Sequence, residues 1–248
     1  MKTKYGAKKP ESMRLRFHTQ TAGVSLAAQE PENNIVRVTL QGLASVLGGT
    51  QSLHTNSFDE ALCLPTENAV KIALRTQQII AHESGVTDTV DPLAGSYYVE
   101  WLTNKMEEEA ENYFKQIEEL GGVVPAIKAN FFQKEIANAS YQYQREIENR
   151  DRTIVAVNQF EQGEQYSIPL LKIDEEVANK QMAKLNKLKE KRNNEKVIEI
   201  LENLKEAANG NENVMPFIMD AVREYASIGE IMNSLKEIFG TYHEDSIF

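Results

Sequence analysis

The sequence predicts an α/β fold in which a partial (β/α)8 barrel, made of the last strand-helix units, precedes a mainly helical C-terminal region. Strand-like and helix-like segments alternate over the first hundred residues, and 33 residues separate His18 from Gln51, about the length of one βα unit. Beyond that part the chain is charged and has helical periodicity. We therefore expect barrel strands and helices over residues 1–103 and a mainly helical region over 104–248.

The first predicted unit begins with the strand "LRFHTQT", which is followed by a small-residue loop. The segment "PENNIVRVTLQGLASVLGG" then predicts an amphipathic helix that begins near Pro31 and ends at Gly48 and Gly49. Its apolar residues recur at helical spacing: Ile35, Val36, Leu40, Leu43 and Leu47.

The second predicted unit repeats this order. The short segment "TQSLHTN" predicts a strand, and "PTENAVKIALRTQQIIAHESG" predicts a helix with Gly85 as its C-cap. The segment "DPLAGSYYVEWLT" that follows has turn chemistry at Asp91-Pro92 and Gly95, and its aromatic end is interpreted as a short strand.

Helices dominate the remaining predictions. The apolar residues of "NKMEEEAENYFKQIEELGG" form one stripe, which is interpreted as a core-facing side. "RTIVAVNQF" at 152–160 predicts an isolated strand, and "GEQYSIPLLKI" an irregular connector. Long helices are expected over 175–208, 215–226 and 229–239.

Composition excludes several classes of protein. The net charge of −10 opposes a broad nucleic-acid or membrane-surface role, and the basic run from Lys180 to Arg192 is typical of a solvated helix face. Cys63 is the only cysteine, so an internal disulfide and a paired-cysteine zinc site are excluded. No long apolar run or signal peptide occurs, and we expect a soluble, cytoplasmic protein. No P-loop, dinucleotide-binding, HExxH or Gly-x-Ser-x-Gly pattern occurs either.

Polar residues gather on and after the two predicted strands, in a fold whose sites lie at the carboxyl ends of the strands. His18 and Gln20 point to the same face of an extended chain, which indicates either a structural pair or a ligand-binding pair. Gln51, His54 and Asn56 fall on or after the second strand. Small polar residues stand where such barrels usually carry bulky apolar ones, and they predict room for a ligand along the axis: Thr19, Thr21, Thr50, Ser52 and Thr55.

The segment "GGTQSLHTNSFDEAL" and the surrounding sequence from about Leu15 to the C-terminus, including "GEIMNSLKEIFGTY", closely resemble the adenosylcobalamin-dependent acyl-CoA mutases, above all the methylmalonyl-CoA mutases. The resemblance implies the C-terminal part of the large-subunit barrel, with an acyl-CoA threaded along the barrel axis. It also implies a radical rearrangement whose chemistry belongs largely to adenosylcobalamin.

Site residues follow from the resemblance position by position. It implies that His18 and Gln51 bind the acyl-CoA substrate and that Gln20 faces the cofactor's corrin. It implies that Asn56 and Glu60 hydrogen-bond the ribose of the deoxyadenosyl group. It names no catalytic acid or base and no metal ligand in this chain. The family often has an aromatic residue where Val24 stands, so a corrin contact there is expected to be altered.

The expected function is therefore that of a component of a methylmalonyl-CoA mutase, interconverting methylmalonyl-CoA and succinyl-CoA. Activity is expected only in an oligomer with the N-terminal barrel half and a cobalamin-binding subunit, since two strands cannot close a barrel and no DxHxxG motif occurs here. Two alternatives stay open: a component of an isobutyryl-CoA or related branched acyl-CoA mutase, and a non-catalytic assembly remnant of the family.

Overall fold

The computed structural model describes residues 1–163 and 168–243. The chain forms two compact units, Met1–Leu171 and Lys172–Phe248, which are described separately. The boundary predicted between residues 103 and 104 falls inside a continuous helix of the first unit, Tyr97–Glu119. The division into barrel and post-barrel regions stays a prediction.

The first unit contains the predicted strand-helix-strand-helix order. Strands β1 (His18–Gln20) and β2 (Ser52–His54) are parallel neighbours. Helix α2 (Asn33–Leu47) connects them, and α3 (Glu67–Glu83) follows β2. The α/β prediction is thus confirmed for a small parallel sheet in a mostly helical chain. The other helices of this unit are α1 (Lys2–Tyr5), α4 (Tyr97–Glu119), α5 (Val123–Lys128) and α6 (Phe131–Glu148), with short 3₁₀ helices at Pro10–Met13, Gly23–Ser25 and Val86–Asp88.

Close packing holds α2 and α3 on one face of the sheet. A Cβ atom at Gly42 of α2 would lie 3.1 Å from Cδ1 of Ile80 and 3.9 Å from Cδ2 of Leu53, so glycine lets the two helices and β2 approach one another. Val38 is buried on the same side of α2. Helix α3 begins at an N-cap, where the Thr66 hydroxyl accepts a hydrogen bond from the Ala69 amide at 3.3 Å.

Two predicted strands are wrong. The aromatic residues after Gly95 lie in helix α4, where Tyr98 and Trp101 stack at a three-residue spacing with ring centroids 6.1 Å apart. Residues 152–160 form a turn closed by a single bridge between Val155 and Gln159. The Asn158 side chain accepts from the Ile154 amide at 2.7 Å and so competes with a sheet ladder.

The apolar stripe of α4 was predicted to face a core, and this interpretation is wrong for the described chain. Met106, Tyr113 and Phe114 are 67%, 44% and 56% exposed, and no residue of α4 is buried. Helical periodicity identifies an apolar face but not what covers it. The predictions also gave no bounds for α5 and α6.

The second unit is a group of four helices: α7 (Glu175–Lys191), α8 (Asn194–Asn209), α9 (Met215–Arg223) and α10 (Ile228–Phe239). Its core contains Leu204, Ala221 and Ile231. The single helix predicted over 175–208 is wrong, because Arg192 leaves the helix and Asn193 caps α8 by accepting from the Lys196 amide at 3.1 Å. The helices predicted over 215–226 and 229–239 are confirmed with small shifts.

Part of the predicted connector, residues 164–167, lies outside the described residues. Among the helices that are described, none combines the length and the apolarity needed to cross a membrane.

Candidate functional site

A hydrogen bond joins the two segments that leave the carboxyl ends of the strands. Nε2 of Gln20 donates to Oδ1 of Asn56 at 3.0 Å. The backbone amide of Asn56 donates to the Thr21 hydroxyl at 3.0 Å, and the Thr21 amide donates to the His54 carbonyl at 3.1 Å. The carboxamide of Asn56 is therefore fixed in position by groups from both strands.

Asn56 is 2% exposed, yet its Nδ2 has no hydrogen-bond partner among the described residues. A buried amide donor without a partner costs free energy, so such a group indicates a site that a ligand completes. A Cβ atom built on Gly23 would lie 3.3 Å from this Nδ2 and 3.4 Å from Oε1 of Glu60. Gly23 thus leaves a small space beside an amide donor and an exposed carboxylate, which we call the Gly23 cradle.

The strand register confirms that His18 and Gln20 share a face. His18 is opposite Ser52, and Gln20 is opposite His54, so these four side chains lie on one side of the sheet. Nδ1 of His18 lies 2.8 Å from the Ser52 hydroxyl. Each member of the pair therefore has its own partner on or after β2, and the face that they share is solvent-exposed in the described chain.

Two of the threonines that were predicted to leave room for a ligand along the barrel axis have hydrogen-bond partners within this unit. The Thr55 hydroxyl is buried and donates to the Ala73 carbonyl of α3 at 2.7 Å. The Thr19 hydroxyl, on the side of β1 opposite His18 and Gln20, donates to Thr50 at 2.8 Å. Thr19 and Thr55 therefore stabilise the packing of the unit, because side chains alternate along a strand.

Gln51 lies away from the Gly23 cradle, at the amino ends of the strands. Its Oε1 accepts from the Phe17 amide at 2.8 Å, which leaves its Nε2 as a donor. The structure thus separates the predicted site residues into two groups. Gln20, Asn56 and Glu60 lie around the cradle, while His18 and Gln51 lie closer to the start of β1 and β2.

Two buried residues that sequence reasoning missed position the loops of this site. Asn34 of α2 accepts from the Ala27 amide at 3.1 Å and donates to the carbonyls of Ala27 at 2.8 Å and Phe58 at 2.9 Å. Asp59 accepts at Oδ2 from the amide and the hydroxyl of Thr66, at 2.9 and 2.8 Å. Polar residues near helix starts often bind backbone groups, but that signal alone does not distinguish Asn34 from Asn33.

Comparisons with known proteins agree with the resemblance. A family model described as methylmalonyl-CoA mutase matches residues 1–241. The chain is 43% identical, over its full length, to the 2-hydroxyisobutanoyl-CoA mutase large subunit of Aquincola tertiaricarbonis, and covers 44% of that protein. It is 44% identical over 96% of its length to the methylmalonyl-CoA mutase of Escherichia coli, and covers 34% of that protein. For the mitochondrial enzyme of Homo sapiens, the identity is 41% over 95% of this chain and 32% of the relative.

Proposed function

Because the chain belongs to the methylmalonyl-CoA mutase family, we propose that it supplies the last strand-helix units of an acyl-CoA mutase barrel. In this proposal the assembled enzyme interconverts methylmalonyl-CoA and succinyl-CoA with adenosylcobalamin. The proposal includes a cytoplasmic location.

The main observation that supports this proposal is the Gly23 cradle. A ribose offers hydroxyl groups that both donate and accept hydrogen bonds, and the cradle presents one unpartnered amide donor and one carboxylate acceptor. The absence of a side chain at Gly23 leaves space for a sugar ring against both groups. The residues present therefore fit the deoxyadenosyl ribose, with Asn56 Nδ2 donating to it and Glu60 accepting from it.

The other residues have separate roles in the proposal. Gln20 holds the Asn56 carboxamide through the 3.0 Å bond and faces the corrin, so that Nδ2 stays directed toward the cradle. His18 and Gln51 bind the acyl-CoA at the amino ends of the strands, where both line the same cleft. When bound, adenosylcobalamin supplies the radical chemistry of the carbon-skeleton rearrangement, and this chain binds and orients the reacting groups.

Partners are part of the same proposal. The described chain contributes two parallel strands, whereas a closed (β/α)8 barrel needs eight. The chain also spans only 32–44% of the length of the three relatives above. We assign the other strands to an N-terminal barrel half and the cobalamin to a separate domain or subunit. The exposed apolar stripe of α4 is a surface that such an assembly would cover.

A second candidate is a mutase for 2-hydroxyisobutyryl-CoA or another branched acyl-CoA such as isobutyryl-CoA. The observation that favours it is the 43% identity to the large subunit from Aquincola tertiaricarbonis over the whole chain. The non-catalytic remnant is a weaker candidate, because a remnant has no physical reason to keep a buried, unpartnered Asn56 amide beside Glu60.

Turnover by the reconstituted enzyme tests these candidates. The full chain would be combined with candidate barrel and cobalamin-binding subunits, adenosylcobalamin and, in separate reactions, methylmalonyl-CoA, isobutyryl-CoA and 2-hydroxyisobutyryl-CoA. We expect succinyl-CoA from the first reaction, only when this chain is present. Preferred turnover of another substrate would select the second candidate, and a folded chain inactive with every combination would select the remnant.

A matched pair of variants tests the role of the cradle. Glu60→Ala removes the proposed ribose acceptor and should reduce turnover at least about tenfold, since hydrogen bonds to charged groups contribute about 1.5–3 kcal/mol. Glu83→Ala removes a carboxylate of the same type from an exposed position on α3 and should leave turnover unchanged. Equal activity of both variants would contradict the assignment of Glu60.

A further inference from the structure

Positive charge is concentrated at the start of this acidic chain. Residues 1–16 contain six basic residues and one acidic residue, although the whole chain has a net charge of −10. Arg14 and Arg16 directly precede β1, and both are exposed. Neither forms an ion pair or a side-chain hydrogen bond within the described ranges, so both guanidinium groups are available to an anion.

A cleft of about 740 Å³ lies at this position. Its lining is formed by Arg14 to His18 together with Gln51 and Ser52, and it contains no carboxylate. The cleft therefore combines two unpaired guanidinium groups with the imidazole of His18 and the carboxamide of Gln51. Planar guanidinium groups bind phosphate oxygens through paired, charge-assisted hydrogen bonds.

Both arginines lie beside the proposed substrate residue His18. Arg14 has the extended angles φ −84° and ψ 126°, and β1 begins at His18. Both arginines line the same cleft as His18, at the end of the sheet opposite the loops of the Gly23 cradle. The order along the chain is two cations, then the proposed acyl-CoA ligand His18, then Gln20 beside the cradle.

We propose that Arg14 and Arg16 form an anion subsite for the phosphates of the CoA nucleotide. This inference rests on the proposed function, which puts the reacting acyl group beside the cofactor residues. The nucleotide must then lie at the opposite end of the extended pantetheine arm. From Gln20 back to Arg14, six residues of fully extended chain would span up to about 20 Å, which is comparable to that arm. The diphosphate and 3′-phosphate would meet both guanidinium groups there.

A comparison of two substrates isolates this subsite. In the reconstituted enzyme, Arg14→Gln and Arg16→Gln should each raise KM for the acyl-CoA by about tenfold with little change in kcat, since they remove charge-assisted hydrogen bonds remote from the reacting atoms. KM for the corresponding acyl-pantetheine, which has no nucleotide, should stay unchanged. Arg75→Gln is the matched control, because Arg75 is an exposed arginine of α3 and donates only to Gln78 among the described residues.

A binding measurement on the full chain alone separates this inference from the proposed function. CoA should shift the NMR amide signals of residues 14–16, and Arg14→Gln with Arg16→Gln should abolish that shift, whereas Arg75→Gln should not. Pantetheine alone should leave those signals in place. Shifts that persist in the double variant, or that appear instead over Lys180 to Arg192, would overturn the inference. If the reconstituted enzyme turns over its substrate and the arginine variants have no effect, this inference is wrong but the proposed function is not.

Discussion

Asn34 and Phe58 are joined by a 2.9 Å hydrogen bond from the Asn34 side-chain amide to the Phe58 carbonyl oxygen. Asn34 is fully buried on α2, and Phe58 lies between Asn56 and Glu60 in the loop after β2. The same side chain also binds both backbone groups of Ala27, in the loop after β1. A single residue outside the site thus connects the two loops that form the Gly23 cradle.

Replacement of Asn34 should destabilise the first unit. Asn34→Ala would leave three buried backbone groups without partners and should lower the free energy of unfolding by about 3 kcal/mol. Urea unfolding measures this loss, and hydrogen exchange at the Ala27 amide should accelerate in parallel. The control is Asn33→Ala, which removes only a bond to Glu30 and should cost less than about 1 kcal/mol. Equal losses in both variants would show that Asn34 has no special role.

A methyl group in the Gly23 cradle should weaken ligand binding more than it destabilises the fold. Gly23→Ala adds one methyl group 3.3 Å from Asn56 Nδ2 and 3.4 Å from Glu60 Oε1, in the space assigned to the ribose. We expect at least about tenfold weaker binding of adenosylcobalamin by the reconstituted enzyme, because overpacking of a close contact costs about 1–3 kcal/mol. Binding can be measured from the change in cobalamin absorbance.

The matched control for this variant is Gly229→Ala in α10, where an added Cβ would have no neighbour within 4 Å. It should leave cofactor binding unchanged and stabilise the helix by up to about 1 kcal/mol. If Gly23→Ala binds the cofactor as the unmodified chain does, the cradle does not hold the ribose.

The parts of the fold that sequence periodicity predicted correctly are those whose partners lie nearby in the chain. Helices α2 and α3 pack against each other and against β2 around Gly42, Leu53 and Ile80, and β1 pairs with β2. The helical periodicity of the two helices therefore specifies them together with the short strand between them. Residues 97–103 were assigned to a strand from aromatic content alone. β-propensity depends on a neighbouring strand, which these residues lack among the described elements, and helix formation prevailed.

The candidate site was predictable only in part for a similar reason. Alternation alone put His18 and Gln20 on one face, and the register confirms this. The unpartnered amide of Asn56 and its proximity to Gly23 depend on how two loops meet, which no local pattern encodes. Asn34 has the same chemistry as Asn33 in sequence, and only the tertiary packing distinguishes the buried residue from its half-buried neighbour.

The ion pair between Arg192 and Glu230 should make the stability of the second unit depend on pH. The Arg192 side chain is 5% exposed and binds both carboxylate oxygens of Glu230, at 2.5 and 2.8 Å. The Arg192 guanidinium, assisted by Ser227, holds the pKa of Glu230 well below its ordinary value. The folded unit therefore keeps this carboxyl ionised at pH values at which the unfolded chain, with a pKa of about 4.3, binds a proton.

The contribution of Glu230 should accordingly be complete well above pH 4.3 and should decrease as the pH falls from about 4.3 toward the lowered pKa. Glu230→Gln should reduce the free energy of unfolding near pH 7 by about 3 kcal/mol, because it leaves a buried guanidinium without its counter-charge. It should also make the free energy of unfolding depend less on pH below about pH 4.3. Urea unfolding followed through the NMR amide signal of Ile231, at pH 3 to 7, measures both effects.

An exposed pair on the same unit provides the control for this prediction. Glu202, whose side chain is 60% exposed, pairs with Lys205, and Glu202→Gln should cost less than about 1 kcal/mol at any pH. If Glu230→Gln loses stability at low pH as steeply as the unmodified chain does, the pH dependence does not come from this carboxyl.

The apolar stripe of α4 should drive association of the full chain when no other subunit is present. Phe114 is 56% exposed, and Met106 on the same stripe is 67% exposed, so burial of this surface against another molecule removes apolar area from water. Sedimentation velocity of the purified chain should show association that increases with concentration. Phe114→Ser should weaken it without a loss of stability, since the ring is largely solvated. Lys115→Ser changes the neighbouring exposed residue and should have no effect. A chain that stays monomeric at all concentrations, or equal effects of the two variants, would show that this stripe is not an interaction surface.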